Sequence, residues 1–319
     1  MIKNDIMVSI SCITYNHEKF IKDAIESFLM QKTNFKYEIL IYDDASTDNT
    51  QNIVQEYEKK YPDLIKPIYQ KENQYSKGKK VSNEFNYKRA TGKYIAICEG
   101  DDYWTDPFKL QKQYDVLESN NDISLCVHAS KIYDVAKKRI VGKIKPFKID
   151  KYLTTSEILA DLPPVHTSSL FFRREYANCF PKFYFNYKQG GHSTHLLFLS
   201  LVGKVYYLKD FMSVWRKNVP NSWSSRISGS TDLRINANED LMIMLNEFNE
   251  YTNYMYKDII HKKQNEILLR NILLQGEFHK IKQLQLERYY RKLPIKVKLY
   301  HKIKHKYPYL LKMYRSIFR

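Results

Sequence analysis

The sequence predicts an α/β fold: a mostly parallel central sheet flanked by helices, followed by a helical extension. Three observations carry that prediction. Apolar runs of strand length alternate with helical spacing through about the first 130 residues, the pattern of βαβ units with right-handed crossovers. Three of the runs stop at polar or acidic residues, the place where open α/β sheets present their ligands. From about Asp232 onward the spacing is helical throughout.

Val8–Thr14 is an apolar run of strand length. Phe20, Ile21, Ala24, Ile25, Phe28 and Leu29 then recur at helical spacing, which puts them on one face. Tyr37–Tyr42 gives a second strand. Thr47 or Asp48 is placed to cap the next helix, with Gln51 three residues after Asp48 as in a capping box. Ile65–Tyr69 is a short third strand, and Ser82–Ala90 reads as a helix stopped by Thr91-Gly92. Tyr94–Cys98 is the fourth strand, Phe108–Glu118 a helix, and Ser124–His128 opens another strand. Beyond about Val135 the pattern is less regular: Ser168–Phe172, Val205–Leu208 and Met212–Trp215 read as strands and Gly191–Val202 as a helix. The expected division is residues 1–230 as one domain and 231–319 as a helical, basic C-terminal region.

A chain of 319 residues, 43% hydrophobic and 14% aromatic, has enough apolar surface for a full α/β core and an appendage. Its net charge of +17 is local: Lys280–Arg319 holds thirteen lysines and arginines against one acid, Glu287, so about +12 comes from the last forty residues. No nucleic-acid module accompanies that charge, so nucleic acid is not an expected partner. The four cysteines, Cys12, Cys98, Cys126 and Cys179, show no metal or disulfide spacing and read as reduced core residues. Met1-Ile-Lys-Asn-Asp leads straight into a strand without a signal-peptide pattern, and no apolar run approaches the ~20 residues that span a bilayer. A cytoplasmic protein is the expectation.

The densest chemistry is Glu99-Gly100-Asp101-Asp102, directly after the fourth strand. Clustered carboxylates at the end of a buried strand are costly to desolvate, and a hard cation or a sugar hydroxyl relieves that cost. Upstream stand Ser11-Cys-Ile-Thr14-Tyr15-Asn16, where the aromatic could stack on a base, and Ile41-Tyr42-Asp43-Asp44-Ala45-Ser46-Thr47-Asp48. Helix capping accounts for Ser46, Thr47 and Asp48 but not for Asp43 and Asp44.

Together these three segments resemble family 2 glycosyltransferases, which have the Rossmann-like GT-A nucleotide-sugar fold. The resemblance covers about residues 6–225 and is strongest in the first 110. It implies a donor site formed by Thr14, Tyr15, Asn16, Asp44, Glu99, Gly100 and Asp101, with Asp44 on the uracil of a UDP-sugar. The family pattern at the acid loop is D-x-D, and here Glu99 stands at its first position. By the same resemblance Asp101 is the direct ligand of Mn²⁺ or Mg²⁺, with Glu99 at the ribose or a metal-bound water. Gly100 lets the backbone approach the diphosphate.

The chain departs from the family at the general base. Inverting members carry Gly-Asp at the start of a helix, followed by a Gly-Lys turn, a strand and a Met-Ser/Ala-x-Tyr-Arg run. Gly203-Lys204, Val205–Leu208 and Met212-Ser-Val-Trp215-Arg216 match that frame, and the Gly-Asp position is Gly191-His192. Three readings stay open: His192 is the base, Asp102 does that work, or the His192/His195 face is structural or meets the acceptor. A histidine–Asp101 metal site ranks lower, because oxygen ligands suit Mg²⁺ and Mn²⁺. The acceptor side would comprise Trp104, His166 of an H-T-S-S-x-x-x-R segment, His195 and Trp223.

In the tail, Tyr300, Ile303, Tyr307, Leu310, Tyr314 and Ile317 recur three and four apart among lysines and arginines. Such a stretch reads as an interfacial helix on an anionic membrane or as a helix docked on the protein. The resemblance and the tail point to an inverting, metal-dependent glycosyltransferase. It would act on a glycan or lipid-linked glycan acceptor in bacterial surface-polysaccharide synthesis, peripheral on the inner face of the membrane. The alternative is a non-catalytic membrane- or polyanion-binding protein on a degenerate GT-A scaffold.

Overall fold

A computed structural model describes residues 3–162, 164–188, 191–307 and 309. The chain forms two compact units, Met1–Ser222 and Trp223–Arg319.

The first unit opens with β1 (Lys3–Thr14), α1 (Ile21–Leu29), β2 (Phe35–Asp43), α2 (Thr50–Lys60) and β3 (Ile65–Tyr69). A π-helical segment, Ser82–Tyr87, leads to β4 (Tyr94–Ile97) and β5 (Tyr103–Trp104). Next come α3 (Lys109–Ser119), β6 (Ile123–Asp134), β7 (Arg139–Ile144), β8 (Lys151–Leu153) and α4 (Thr155–Ala160). β9 (Phe171–Arg173), α5 (Lys182–Asn186), α6 (His192–Val202) and β10 (Lys204–Lys217) complete the unit.

The sheet runs β3-β2-β1-β4-β9-β6-β10-β5, with β7 on β6 and β8 on β10. β1, β2, β3 and β4 are mutually parallel, and β6 and β10 are parallel to each other. β9 runs antiparallel to both β4 and β6, so the two parallel sets point the same way. Central strands are covered on both faces: Val8, Ile10 and Cys12 of β1 are fully buried, and so are Ser9 and Ser11 between them. α1 closes one face with Ile21, Ala24, Ile25 and Phe28, the stripe its spacing predicts.

Several local expectations change. The two C-terminal strands are one, β10, which shifts register between Leu208 and Ser213 and so bends to meet both β6 and β5. The capping box does not form. The residue before α2 is Asn49 without a side-chain cap, Asp48 accepts from Thr50 N at 3.0 Å, and Gln51 turns back to Asp43. All four cysteines are free, but Cys179 is exposed and not part of the core.

The second unit consists of α7 (Trp223–Gly229), α8 (Thr231–Tyr251), α9 (Lys257–Gln275), α10 (Lys280–Gln283), α11 (Glu287–Lys292) and α12 (Ile295–Lys306). Asn238 of α8 and Asn271 of α9 share a buried hydrogen bond of 2.6 Å. Leu269, Ile272, Leu273, Ile281, Leu286 and Tyr289 form its small core. α12 docks on the end of α9, where His301 Nδ1 and His305 Nε2 lie 2.8 and 3.0 Å from Leu273 O. Gly276, at φ +80°, ends α9 beneath them, and a Cβ there would lie 2.6 Å from the His305 ring. Leu310, Tyr314 and Ile317 lie outside the described residues. Among the described residues, no helix is long and apolar enough to cross a membrane.

Candidate active site

The acid loop is an extension of β4 that keeps pairing with β1. Cys98 N donates to Ser11 O at 3.1 Å and Gly100 N to Ile13 O at 2.8 Å, which presses the loop against Thr14. A Cβ on Gly100 would sit 2.8 Å from Thr14 Oγ1 and 3.0 Å from Ile21 Cδ1, so the loop closes only around glycine. Asp102 N then turns back to Glu99 O at 3.0 Å.

That turn brings carboxylate oxygens of Glu99, Asp101 and Asp102 within 4.8 Å of one another. Two ionised carboxylates at such a separation repel by roughly 3 kcal/mol at an effective dielectric of about 20. Burial, and then the Asp101 charge, push the Glu99 carboxyl up to about 8. Burial and the charges of Asp101 and Glu99 raise Asp102 well above the ordinary carboxylate range.

Asp102 is almost fully buried. Its Oδ1 accepts from Arg216 N at 2.8 Å, while Oδ2, fully enclosed, has no hydrogen-bond partner. Thr14 Oγ1 is likewise buried and unpartnered. Three hard oxygen donors, an orphaned carboxylate oxygen and mutual repulsion are the conditions that a divalent cation relieves, so these residues fit Mn²⁺ or Mg²⁺. Protons compete with the cation for this loop, so Mn²⁺ affinity should rise with pH up to about 8 and fall below it. Calorimetric titrations at about pH 6 and pH 8 check this; equal affinities would mean the acids are already ionised.

Arg216 secures the loop from behind. Its Nη1 donates to Asp101 O at 3.1 Å, and Nη2 pairs with Asp23. The guanidinium packs between the rings of Phe20 (5.2 Å) and Tyr103 (4.4 Å).

Beside the acids stand the ends of β1 and β2. Asp43 is a turn residue: it accepts from Ser46 N (2.9 Å), Ser46 Oγ (2.5 Å) and Gln51 Nε2 (2.6 Å), so capping covers it after all. Asp44 holds the following loop, with Oδ1 accepting from Gln74 N (2.7 Å) and Tyr42 Oη (3.3 Å) and Oδ2 from Tyr75 N (3.0 Å). Asn16 takes a left-handed backbone (φ +56°) and ties the two loops together, its N reaching Ser46 Oγ and its Oδ1 accepting from Thr47 N at 2.7 Å. Tyr15 is exposed.

His17 was not anticipated from the sequence. Its Nε2 lies 3.9 Å from Asp101 Oδ2, and its Nδ1 is buried without a partner. The only signal for it is its place directly after Asn16.

On the other side of Asp102, His166 Nδ1 lies 3.4 Å from Asp102 Oδ2 and 3.1 Å from Ser168 Oγ. Its ring stacks on Trp215 at 5.2 Å and stands 6.3 Å from the His192 ring. Burial pushes His192 down to about 4 and His166 down to about 3, the latter also by His192.

Two expected acceptor residues do not face an acceptor. His195 is caged by Phe180, Tyr184 and Phe172, with Nε2 on Tyr87 Oη (3.0 Å) and Nδ1 on Gly191 O (2.7 Å), so both ring nitrogens are engaged. Trp104 is 1% exposed, bonds Ser168 O through Nε1 at 3.0 Å and lies under the Lys109 ammonium at 3.9 Å, which removes its faces from a sugar. Trp223 belongs to the second unit, as the first residue of α7.

The curled, mostly parallel sheet with an acid loop after its fourth strand defines the GT-A class. The family model described as glycosyl transferase family 2 matches residues 9–180, more than half of the chain, and the chain belongs to that family. A curated relative is WfgD of Escherichia coli, a UDP-Glc:α-D-GlcNAc-diphosphoundecaprenol β-1,3-glucosyltransferase, 35% identical over 147 residues, 46% of this chain and 54% of WfgD. The chain spans about half the length of the curated relatives it matches.

Two solved structures share the fold. S. aureus TarS in complex with UDP-GlcNAc has a TM-score of 0.56 at 19% identity, covering 92% of this chain and 78% of that one. The mannosyltransferase PcManGT of Pyrobaculum calidifontis, in complex with GDP-Man and Mn²⁺, has a TM-score of 0.56 at 14% identity, covering 93% and 83%.

Proposed function

We propose that this chain is an inverting glycosyltransferase that moves a sugar from a UDP-sugar to a hydroxyl of a lipid-linked glycan during synthesis of a bacterial surface polysaccharide. The observation that carries the reading is the partly buried three-carboxylate loop with its orphaned Asp102 oxygen at the end of β4. The UDP-GlcNAc bound by TarS and the diphosphoundecaprenol acceptor in the name of WfgD support the choice of donor and acceptor.

Glu99, Asp101 and Asp102 would hold Mn²⁺ or Mg²⁺, which when bound neutralises charge on the departing diphosphate. Thr14 and Gly100 floor the donor site. Tyr15 offers an open ring to the base, and Asp44, buried and bonded to Gln74 N and Tyr75 N, would set the loop against which the uracil lies. His192 is neutral at pH 7, so its lone pair takes the proton of the acceptor hydroxyl as the anomeric bond forms. His166, fixed by Ser168 and Trp215, lines the acceptor side. Attack opposite the leaving diphosphate inverts the anomeric centre.

Calorimetric binding of UDP, GDP, CDP and dTDP, each with Mn²⁺ and with EDTA, tests the donor assignment. Selective, Mn²⁺-dependent UDP binding is expected. Binding of none of the four would move the reading to a degenerate scaffold.

A lipid-linked acceptor calls for a membrane surface, and α12 suits one. Ile295 and Leu299 are 80% and 54% exposed among Lys296, Lys298, Lys302 and Lys306. Each cation near an anionic leaflet contributes about 1 kcal/mol. Ile295→Asp with Leu299→Asp should release the protein from vesicles rich in anionic lipid while leaving UDP binding intact. Unchanged co-sedimentation would end the membrane reading.

A further inference from the structure

A cleft of about 860 Å³ opens between α1, β5 and the β6–β7 hairpin, lined among others by Lys19, Phe20, Asp23, Tyr103, Lys138 and Arg216. It contains none of the donor-site residues. It shares Arg216 with them, because the guanidinium that floors the cleft also holds Asp101 O at 3.1 Å. The cleft therefore lies immediately beside the loop where the sugar would be transferred.

Its lining carries three cations, Lys19, Lys138 and Arg216, against two carboxylates, Asp23 and Glu26, and Glu26 accepts from Tyr57 Oη. The Arg216 side chain is only 8% exposed and is balanced by Asp23, which is itself half-exposed and replaceable. Among the described residues, no carboxylate lies within ion-pair reach of Lys19 or Lys138. Lys138 also has a left-handed backbone (φ +51°) at the hairpin turn, a conformation that glycine or asparagine adopts more readily. Two free ammonium groups and one forked guanidinium around a pocket of this size match a phosphate-bearing ligand, and a guanidinium binds phosphate oxygens two at a time.

We propose that this cleft is an acceptor subsite that binds the diphosphate joining the acceptor sugar to its lipid, with Lys19 and Lys138 as its contacts and Arg216 exchanging Asp23 for a phosphate oxygen. The proposal rests on the glycosyltransferase reading above and names the part of the acceptor recognised.

The test uses the full chain with Mn²⁺ and saturating UDP. It compares calorimetric binding of GlcNAc α-linked to a short-chain alkyl diphosphate with binding of octyl α-GlcNAc. The diphosphate probe should bind about tenfold or more tightly than the neutral glycoside. Lys19→Ala with Lys138→Gly should erase that preference while UDP affinity stays unchanged; the glycine suits the backbone, so the variant keeps its fold. Equal binding of the two probes by the wild type, or a preference retained by the double variant, overturns the subsite. Absence of UDP binding in the first step would instead overturn the glycosyltransferase reading, and the subsite with it.

Discussion

Asp101→Ala is expected to abolish sugar transfer and, in the same step, the Mn²⁺-dependent part of UDP binding. Asp101 reaches the open side of the loop: its side chain is 16% exposed, faces His17, and its backbone carbonyl is fixed by Arg216. Removing it takes a partly open oxygen donor from a site for a cation that gives up its waters reluctantly and is held by few carboxylates plus the donor's phosphates. Loss of transfer by at least about a thousandfold is expected, since charge stabilisation at the leaving group is usually the largest catalytic term. Turnover assays and calorimetry with and without EDTA check both halves. A variant that still binds UDP in a Mn²⁺-dependent way would displace Asp101 as ligand. The fold should survive, because loss of one of three mutually repelling acids relieves strain in the metal-free protein.

The second large effect is expected at His192. His192→Ala should lower kcat by about 10²–10⁴-fold, the usual contribution of a general base, with donor binding nearly unchanged. The pH profile separates this role from a packing role. Burial lowers the imidazole to about 4, so it loses its lone pair to a proton only as pH falls through that value. The His192-dependent part of kcat should therefore stay flat from about pH 8 to pH 5, where an ordinary histidine would already fall below about 6.5. A base of this strength resembles the carboxylate whose place it takes. Near-wild-type kcat in the alanine variant would remove His192 as the base.

The N-terminal half of the fold was legible because burial on both faces of a parallel sheet leaves long apolar runs, and the runs Val8–Thr14 and Tyr37–Tyr42 lie within strands β1 and β2. Past Asp134 the sheet is completed by short antiparallel pieces, β7, β8 and β9, and by the bent β10. Their pairing depends on distant partners, and local periodicity does not encode that.

The same division runs through the site. Glu99, Asp101 and Asp102 adjoin in sequence, so a tight turn after a buried strand is enough to bring them near one another. By contrast, His195 and Trp104 looked like acceptor contacts because histidine and tryptophan often are. Only packing shows that Tyr87 and Gly191 occupy one, and Ser168 and Lys109 the other. His17 and Arg216 needed tertiary structure for the opposite reason: their meaning lies in facing Asp101 across 84 and 115 residues of chain. The sequence by itself determined the sheet's parallel half, the acid loop and the family. The tertiary structure decided which polar groups stay unsatisfied, because a side chain's spare hydrogen-bonding capacity is a property of everything packed around it.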